Sequence, residues 1–160
     1  MTNREIAAVL FNISAILDAQ SGNPYRIRAY RRAARNLLRM RDPIAERVAA
    51  GKPLGLPRLG KSLTAKISTL ASRDALPFYE ELCDNLPPEE RALLKLKVLG
   101  LGPTIAARIH HDLGSTDAVS LRRAAADGTL QKVWGIGPKR IAALLDAVGG
   151  SEVRQERMEI

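Results

Sequence analysis

Five arginines are spaced so that they could grip one polyanion. Arg28, Arg31, Arg32, Arg35 and Arg39 fall at offsets of 0, 3, 4, 7 and 11, which puts them on one face of a helix. A guanidinium fork matches the oxygens of a phosphate, and no carboxylate stands between Asp18 and Asp42 to neutralise the row. Such a face is either simply solvated or a phosphate contact, and the second is the expectation. A different phosphate chemistry is offered by Val98-Leu99-Gly100-Leu101-Gly102-Pro103-Thr104-Ile105-Ala106. It returns as Val133-Trp134-Gly135-Ile136-Gly137-Pro138-Lys139-Arg140-Ile141, and more loosely as Leu56-Pro57-Arg58-Leu59-Gly60-Lys61-Ser62-Leu63. Two glycines one residue apart allow a tight bend, and proline after the second suits the first position of a helix. Amides at such a helix N-terminus attract phosphate. The contacts predicted from these stretches are Gly60 and Lys61, Gly100, Gly102 and Thr104, and Gly135, Gly137, Lys139 and Arg140.

Other chemistries are weaker in the sequence. Gly55-Leu56-Pro57-Arg58-Leu59-Gly60-Lys61-Ser62 satisfies the pattern of a nucleotide-binding P-loop letter for letter, but that loop needs a buried strand before it and a parallel sheet around it. The preceding residues, Arg47–Pro53, carry two cations and no strand pattern. His110 and His111 are adjacent, so on a helix they diverge by about 100° and make a poor chelate; phosphate contact or exposure is expected of them. Cys83 is the chain's one cysteine, which leaves no intramolecular disulfide or cysteine zinc site and reads as a core thiol. Trp134 is expected as an apolar anchor beneath its hairpin, with contact to a base or sugar as the other reading.

These residues need helices to hold them. Of the 160 residues 46% are hydrophobic but only 4% aromatic, and Ala, Leu, Ile and Arg favour helix over strand. Thr2-Asn3-Arg4-Glu5 fits a capping box, and Ile6, Val9, Leu10, Ile13, Ile16 and Leu17 then mark one apolar face. Asn23-Pro24 opens a second helix to about Met40, which carries the arginines. Asp42-Pro43 starts a short third, Lys61 to about Ser72 a fourth, and Leu76 to Leu86 a fifth. Leu86-Pro87-Pro88 breaks the chain. A helix from Pro88 leads into the second hairpin, a connector follows around Asp117–Ala126, and the helix after the third hairpin is predicted to close at Gly149-Gly150. The two regular hairpins lie 35 residues apart in sequence, a spacing that lets them sit side by side with approximate two-fold symmetry. The expected organisation is therefore all-α, with residues 1–86 and 87–150 as two domains and 151–160 as a polar tail.

The net charge of +8 favours a polyanionic partner. Residues 1–52 hold ten Lys/Arg against four Asp/Glu, so most of the positive field comes from the N-terminal third. The periodic start is no signal peptide, and no stretch approaches membrane-spanning length. The expected location is cytoplasmic and nucleoid-associated, with no membrane partner.

At the hairpins the chain resembles helix-hairpin-helix proteins. The order of Pro24-Tyr25-Arg26-Ile27-Arg28-Ala29-Tyr30-Arg31-Arg32, then Leu56-Pro57-Arg58-Leu59-Gly60-Lys61, then Gly100-Leu101-Gly102-Pro103 is similar to the N-terminal region of family X DNA polymerases, over roughly residues 1–149. The resemblance implies a small helical lyase-type domain followed by a tandem helix-hairpin-helix domain, both gripping gapped or nicked DNA. It also implies a Schiff-base role for Lys66 at cleaved abasic sites, which requires the neutral amine. Tyr30 matches a tyrosine near that pocket, and Arg26 stands where a phosphate-binding lysine often sits. The backbone carbonyls of Leu96, Val98 and Leu101, and of Gln131, Val133 and Ile136, match those that hold Na+ or K+ in related hairpins.

Arg58 departs from the pattern by replacing the first glycine of its hairpin, which makes that bend less permissive. Ser62 replaces a basic residue found in some members. The 160 residues hold no Asp-x-Asp metal pair and are expected not to polymerise DNA by themselves. Three readings stay open: a sequence-independent binder of interrupted or damaged DNA with lyase chemistry, a non-catalytic DNA-binding adaptor that recruits a repair or replication partner, and a P-loop nucleotide binder.

Overall fold

In a computed structural model the chain is described over residues 1–159, with side chains for 1–150. It is all-α: among the described residues there are nine α-helices, one short 3-10 turn and no strand. Two compact units divide it, Met1–Asn85 and Leu86–Ile160. Among the described residues no helix is long and apolar enough to cross a membrane.

The N-terminal unit is built around α1 (Asn3–Ala19). The capping box forms: Glu5 N–H donates to Thr2 Oγ1 at 3.1 Å and Thr2 N–H donates to Glu5 Oε1 at 3.0 Å. The apolar face is wider than the periodicity predicts, because Ala7, Ala8, Asn12 and Ser14 are buried along with the aliphatics. Small side chains let neighbouring helices close on both sides, and α2 (Pro24–Arg39), α4 (Lys61–Arg73) and α5 (Pro77–Asp84) all pack on α1. Asn23 caps α2 through Tyr25 N–H, with Pro24 at its first position. Ile27, Tyr30, Ala33, Ala34 and Leu37 form the inner side of α2. The short α3 (Ile44–Ala49) has no cap from its own flank. Asn3 supplies it from α1, accepting from Ile44 N–H at 2.8 Å and donating to Asp42 O at 2.9 Å.

A polar pair sits inside this core. Asn12 Nδ2 donates to Tyr79 Oη at 3.0 Å, and both residues are buried beside the fully enclosed Cys83 thiol. Burial, followed by the neighbouring Cys83, pushes the Tyr79 phenol far above its usual range, so the hydroxyl stays protonated. Tyr79→Phe leaves the buried Asn12 amide with a donor unpaired and is expected to cost about 1–3 kcal/mol in denaturant unfolding. Adding Asn12→Leu is expected to recover part of that loss, since it removes the amide that Tyr79→Phe leaves unpaired.

The C-terminal unit contains α6 (Pro88–Leu94), α7 (Pro103–Leu113), α8 (Ala118–Asp127), a 3-10 turn over Leu130–Lys132 and α9 (Pro138–Glu159). Leu93, Leu94, Leu101, Ile109, Leu121, Leu130 and Leu144 make its core. The connector helix starts at Asp117, whose carboxylate accepts from Ser120 N–H and Ser115 Oγ, each at 2.7 Å. Those bonds hold the Asp117 carboxyl below its usual range. Gly128 closes α8 in the left-handed conformation. The stop predicted at Gly149-Gly150 does not occur: α9 continues through both glycines. A helical glycine costs only about 1 kcal/mol, and no proline follows to end the helix.

Candidate nucleic-acid interface

The two regular hairpins are seated on one another. In the second, Leu101 N–H closes the turn on Val98 O at 3.1 Å, and in the third Ile136 N–H closes on Val133 O at 3.4 Å. Gly100 and Gly135 have φ of +85° and +90°, a region where a side chain is strained. Gly102 caps α7, and its counterpart Gly137 precedes Pro138 at the start of α9. Ile105 and Arg140 occupy equivalent positions in the repeat, and each lies against the other hairpin's first glycine. A Cβ on Gly100 would fall 2.6 Å from Arg140 Nε, and one on Gly135 would fall 2.9 Å from Ile105 Cδ1 and 2.7 Å from an Arg108 nitrogen. This reciprocal contact sets the two hairpins side by side, as their spacing allows. Thr104 and Lys139, at matching places in their first turns, are both exposed.

Arg140 also donates to Gly135 O at 2.8 Å, so it braces the hairpin pair as well as adding charge there. Trp134 is no buried anchor. It is 75% exposed, because Val133 and Ile136 on either side fill the inward positions instead. Arg108, which sequence reasoning did not single out, lies over its ring at 4.2 Å and donates to Trp134 O at 3.2 Å. The carbonyls of Val98 and Val133 each accept one turn bond, while those of Leu96, Leu101 and Ile136 accept none of the described turn bonds. Among the described residues no group of three or more His, Cys, Asp or Glu side chains forms a metal site.

His110 is not placed for phosphate. Its Nδ1 lies 2.8 Å from Glu90 Oε2 and its Nε2 lies 3.5 Å from Glu89 Oε2, which ties α7 to α6. His111 is exposed beside Asp112. The P-loop pattern has no strand before it, and Gly60 instead caps α4. Arg47 reaches Pro53 O at 3.0 Å and packs against Gly55, folding that loop locally.

On α2 the basic face divides. Arg28, Arg32, Arg35 and Arg39 line one groove with Asn36. Arg31 turns away to Asp18 at 3.3 Å. In the first hairpin Arg58 takes the conformation of the missing glycine, at φ +56°. The bend therefore forms without glycine, at a steric cost on the order of 1 kcal/mol.

Beyond that hairpin, α2, α4 and α5 bring together a second cluster. Lys66 is half-buried, and its Nζ donates to Ser62 Oγ at 2.6 Å and lies 4.9 Å from the centre of the Phe78 ring. Arg26 lies over the same ring at 5.3 Å and over Tyr30 at 6.0 Å. Tyr30 is buried, so its ring forms a wall rather than an open contact. Phe78 is the member that sequence reasoning missed, and its only signal is an aromatic at the start of α5 in a chain poor in aromatics.

Residues 1–74 match the family described as "Helix-hairpin-helix domain". Over all 160 residues the chain is 28% identical to the "DNA polymerase/3'-5' exonuclease PolX" of Bacillus subtilis (strain 168). It covers 27% of the length of that relative, in its N-terminal part. The chain is thus similar to the helix-hairpin-helix family over residues 1–74 and, along its length, to the N-terminal part of a family X polymerase.

Proposed function

We propose that this helix-hairpin-helix chain binds the DNA backbone without reading base sequence, acts at gapped, nicked or abasic DNA, and carries lyase chemistry at Lys66. The observation that carries the binding reading is the reciprocal seating of the hairpins. Two helix N-termini, fixed relative to each other by Ile105 and Arg140, offer amides to one phosphate on each strand of a duplex. The arginine groove on α2 adds sequence-independent charge. Na+ or K+ on the hairpin carbonyls would add positive charge at the same two points.

The lyase reading rests on the Lys66 cluster and on the likeness to family X polymerases. The neutral Lys66 amine attacks C1′ of an open-chain abasic sugar, and loss of water gives an imine. Removal of a C2′ proton then expels the 3′ phosphate oxygen, cutting the strand, and hydrolysis of the imine returns free lysine. Ser62 Oγ accepts from the Lys66 amine and orients it. Arg26 is placed to hold a phosphate beside it, and the faces of Phe78 and Tyr30 exclude water from one side. A non-catalytic adaptor lacks this reaction, so trapping separates the two readings.

Binding is tested by the anisotropy of labelled duplexes across about 50–200 mM salt. With six phosphates engaged, the log–log slope is expected near about −5, and affinity falls by roughly 1000-fold across the range. Duplexes of unrelated sequence are expected to agree within about threefold, because backbone contacts carry no sequence information. A flat salt dependence would sink the reading.

A further inference from the structure

We infer that Trp134 is a stacking platform for an unpaired base, so that the C-terminal unit distinguishes interrupted DNA from intact duplex. This rests on the DNA-binding reading above and goes further, because it assigns the third hairpin a contact to a base rather than to the backbone.

Trp134 is the chain's one tryptophan and is 75% exposed, where burial would have contributed much to so small a core. It is also held in place. Arg108 covers the ring from 4.2 Å and fixes its backbone through the bond to Trp134 O. Residue 135 is glycine, and the guanidinium occupies the space beside it, 2.7 Å from where a Cβ would stand. A tryptophan left exposed yet braced by an arginine has paid its ordering cost before any ligand arrives.

The surroundings select a nucleotide. Between Asp127 and Asp146 there is no carboxylate, while Lys132, Lys139 and Arg140 lie in that stretch and Arg108 joins them from α7. Aromatic rings beside cations are how proteins hold single-stranded bases. In an intact duplex both faces of every base are covered by neighbours. Only a gap, an end or an unpaired nucleotide offers a free face, so the contact is selective for DNA structure and tolerant of sequence.

The test uses a small covalently closed circular duplex, which has neither ends nor unpaired loops, and the same circle carrying a short gap. Binding is followed by the anisotropy of a label on the DNA, and Trp134 emission reports the contact directly. Gapped DNA is expected to quench the emission strongly and the intact circle to leave it nearly unchanged. Trp134→Ala is expected to weaken binding to gapped DNA by about 5- to 150-fold and to leave the intact circle within about twofold. Arg108→Gln, which frees the ring but keeps it, is expected to give a smaller loss of the same preference. Equal quenching by both DNAs, or equal weakening of both by Trp134→Ala, would overturn the inference and assign the ring to the backbone. Binding with unmoved emission would also overturn it and leave the ring for a protein partner. Absence of any anisotropy change would overturn the DNA-binding reading itself, a result distinct from the others.

Discussion

Lys66→Ala is expected to abolish the covalent adduct that borohydride traps on incised abasic DNA, whereas wild-type protein accumulates it. Lys66→Arg is expected to behave the same way, because a guanidinium keeps the charge but does not form the imine. Duplex affinity of either variant is expected to stay within about twofold to fivefold, since one charge among many is altered. The effect on chemistry is therefore complete while the effect on binding is small. The neighbouring cation gives the control: Lys61 begins the same helix, α4, and is exposed, so Lys61→Ala is expected to retain the adduct. A trapped adduct that survives Lys66→Ala would reject the assignment, and an absence of adduct in the wild type would favour the adaptor reading.

The second large effect belongs to the α2 groove. Replacing Arg28, Arg32, Arg35 and Arg39 together by glutamine removes up to four phosphate contacts. The log–log salt slope is expected to flatten by about 3.6, and affinity at physiological salt to fall by about 100- to 1000-fold. These side chains line an exposed groove, so the fold is expected to survive, and far-ultraviolet circular dichroism checks it. Arg31→Gln serves as the internal contrast. Its guanidinium is engaged by Asp18, so its loss is expected to change the slope much less. A quadruple variant with an unchanged slope would exclude the groove from the interface.

Much of this was legible in the chain because it depends on local chemistry. The capping box at Thr2, the proline after Asn23 and the paired glycines act through neighbours in sequence, and all form as expected. What depends on distant partners was hidden. Asn3 caps a helix that begins at Ile44, and Phe78 joins Lys66 and Arg26 only once α5 has packed. The helical offsets of five arginines could not reveal that Asp18 takes one of them. Trp134 departs from the expected anchor because a tryptophan beside a valine reads as core, and only the packed hairpin shows which of the two turns inward. Arg58 is explained by the same contacts. In the regular hairpins the first glycine receives a residue from the other copy. The first hairpin takes up the left-handed bend with a side chain attached, which leaves no such room on it.

The mutual contact of Ile105 with Gly135 and of Arg140 with Gly100 has a consequence for avidity. A single hairpin offers a few amides to a single phosphate, a weak and short-lived grip. In the binding mode proposed above, once one hairpin is engaged the other is held ready for its own phosphate, so the second event is intramolecular and its effective concentration is set by rigid geometry rather than by a tether. Release then requires both grips to fail together. In the proposed binding mode Gly100 and Gly135, by giving room to this mutual contact, lengthen the residence of the protein on DNA by letting two weak sites act as one.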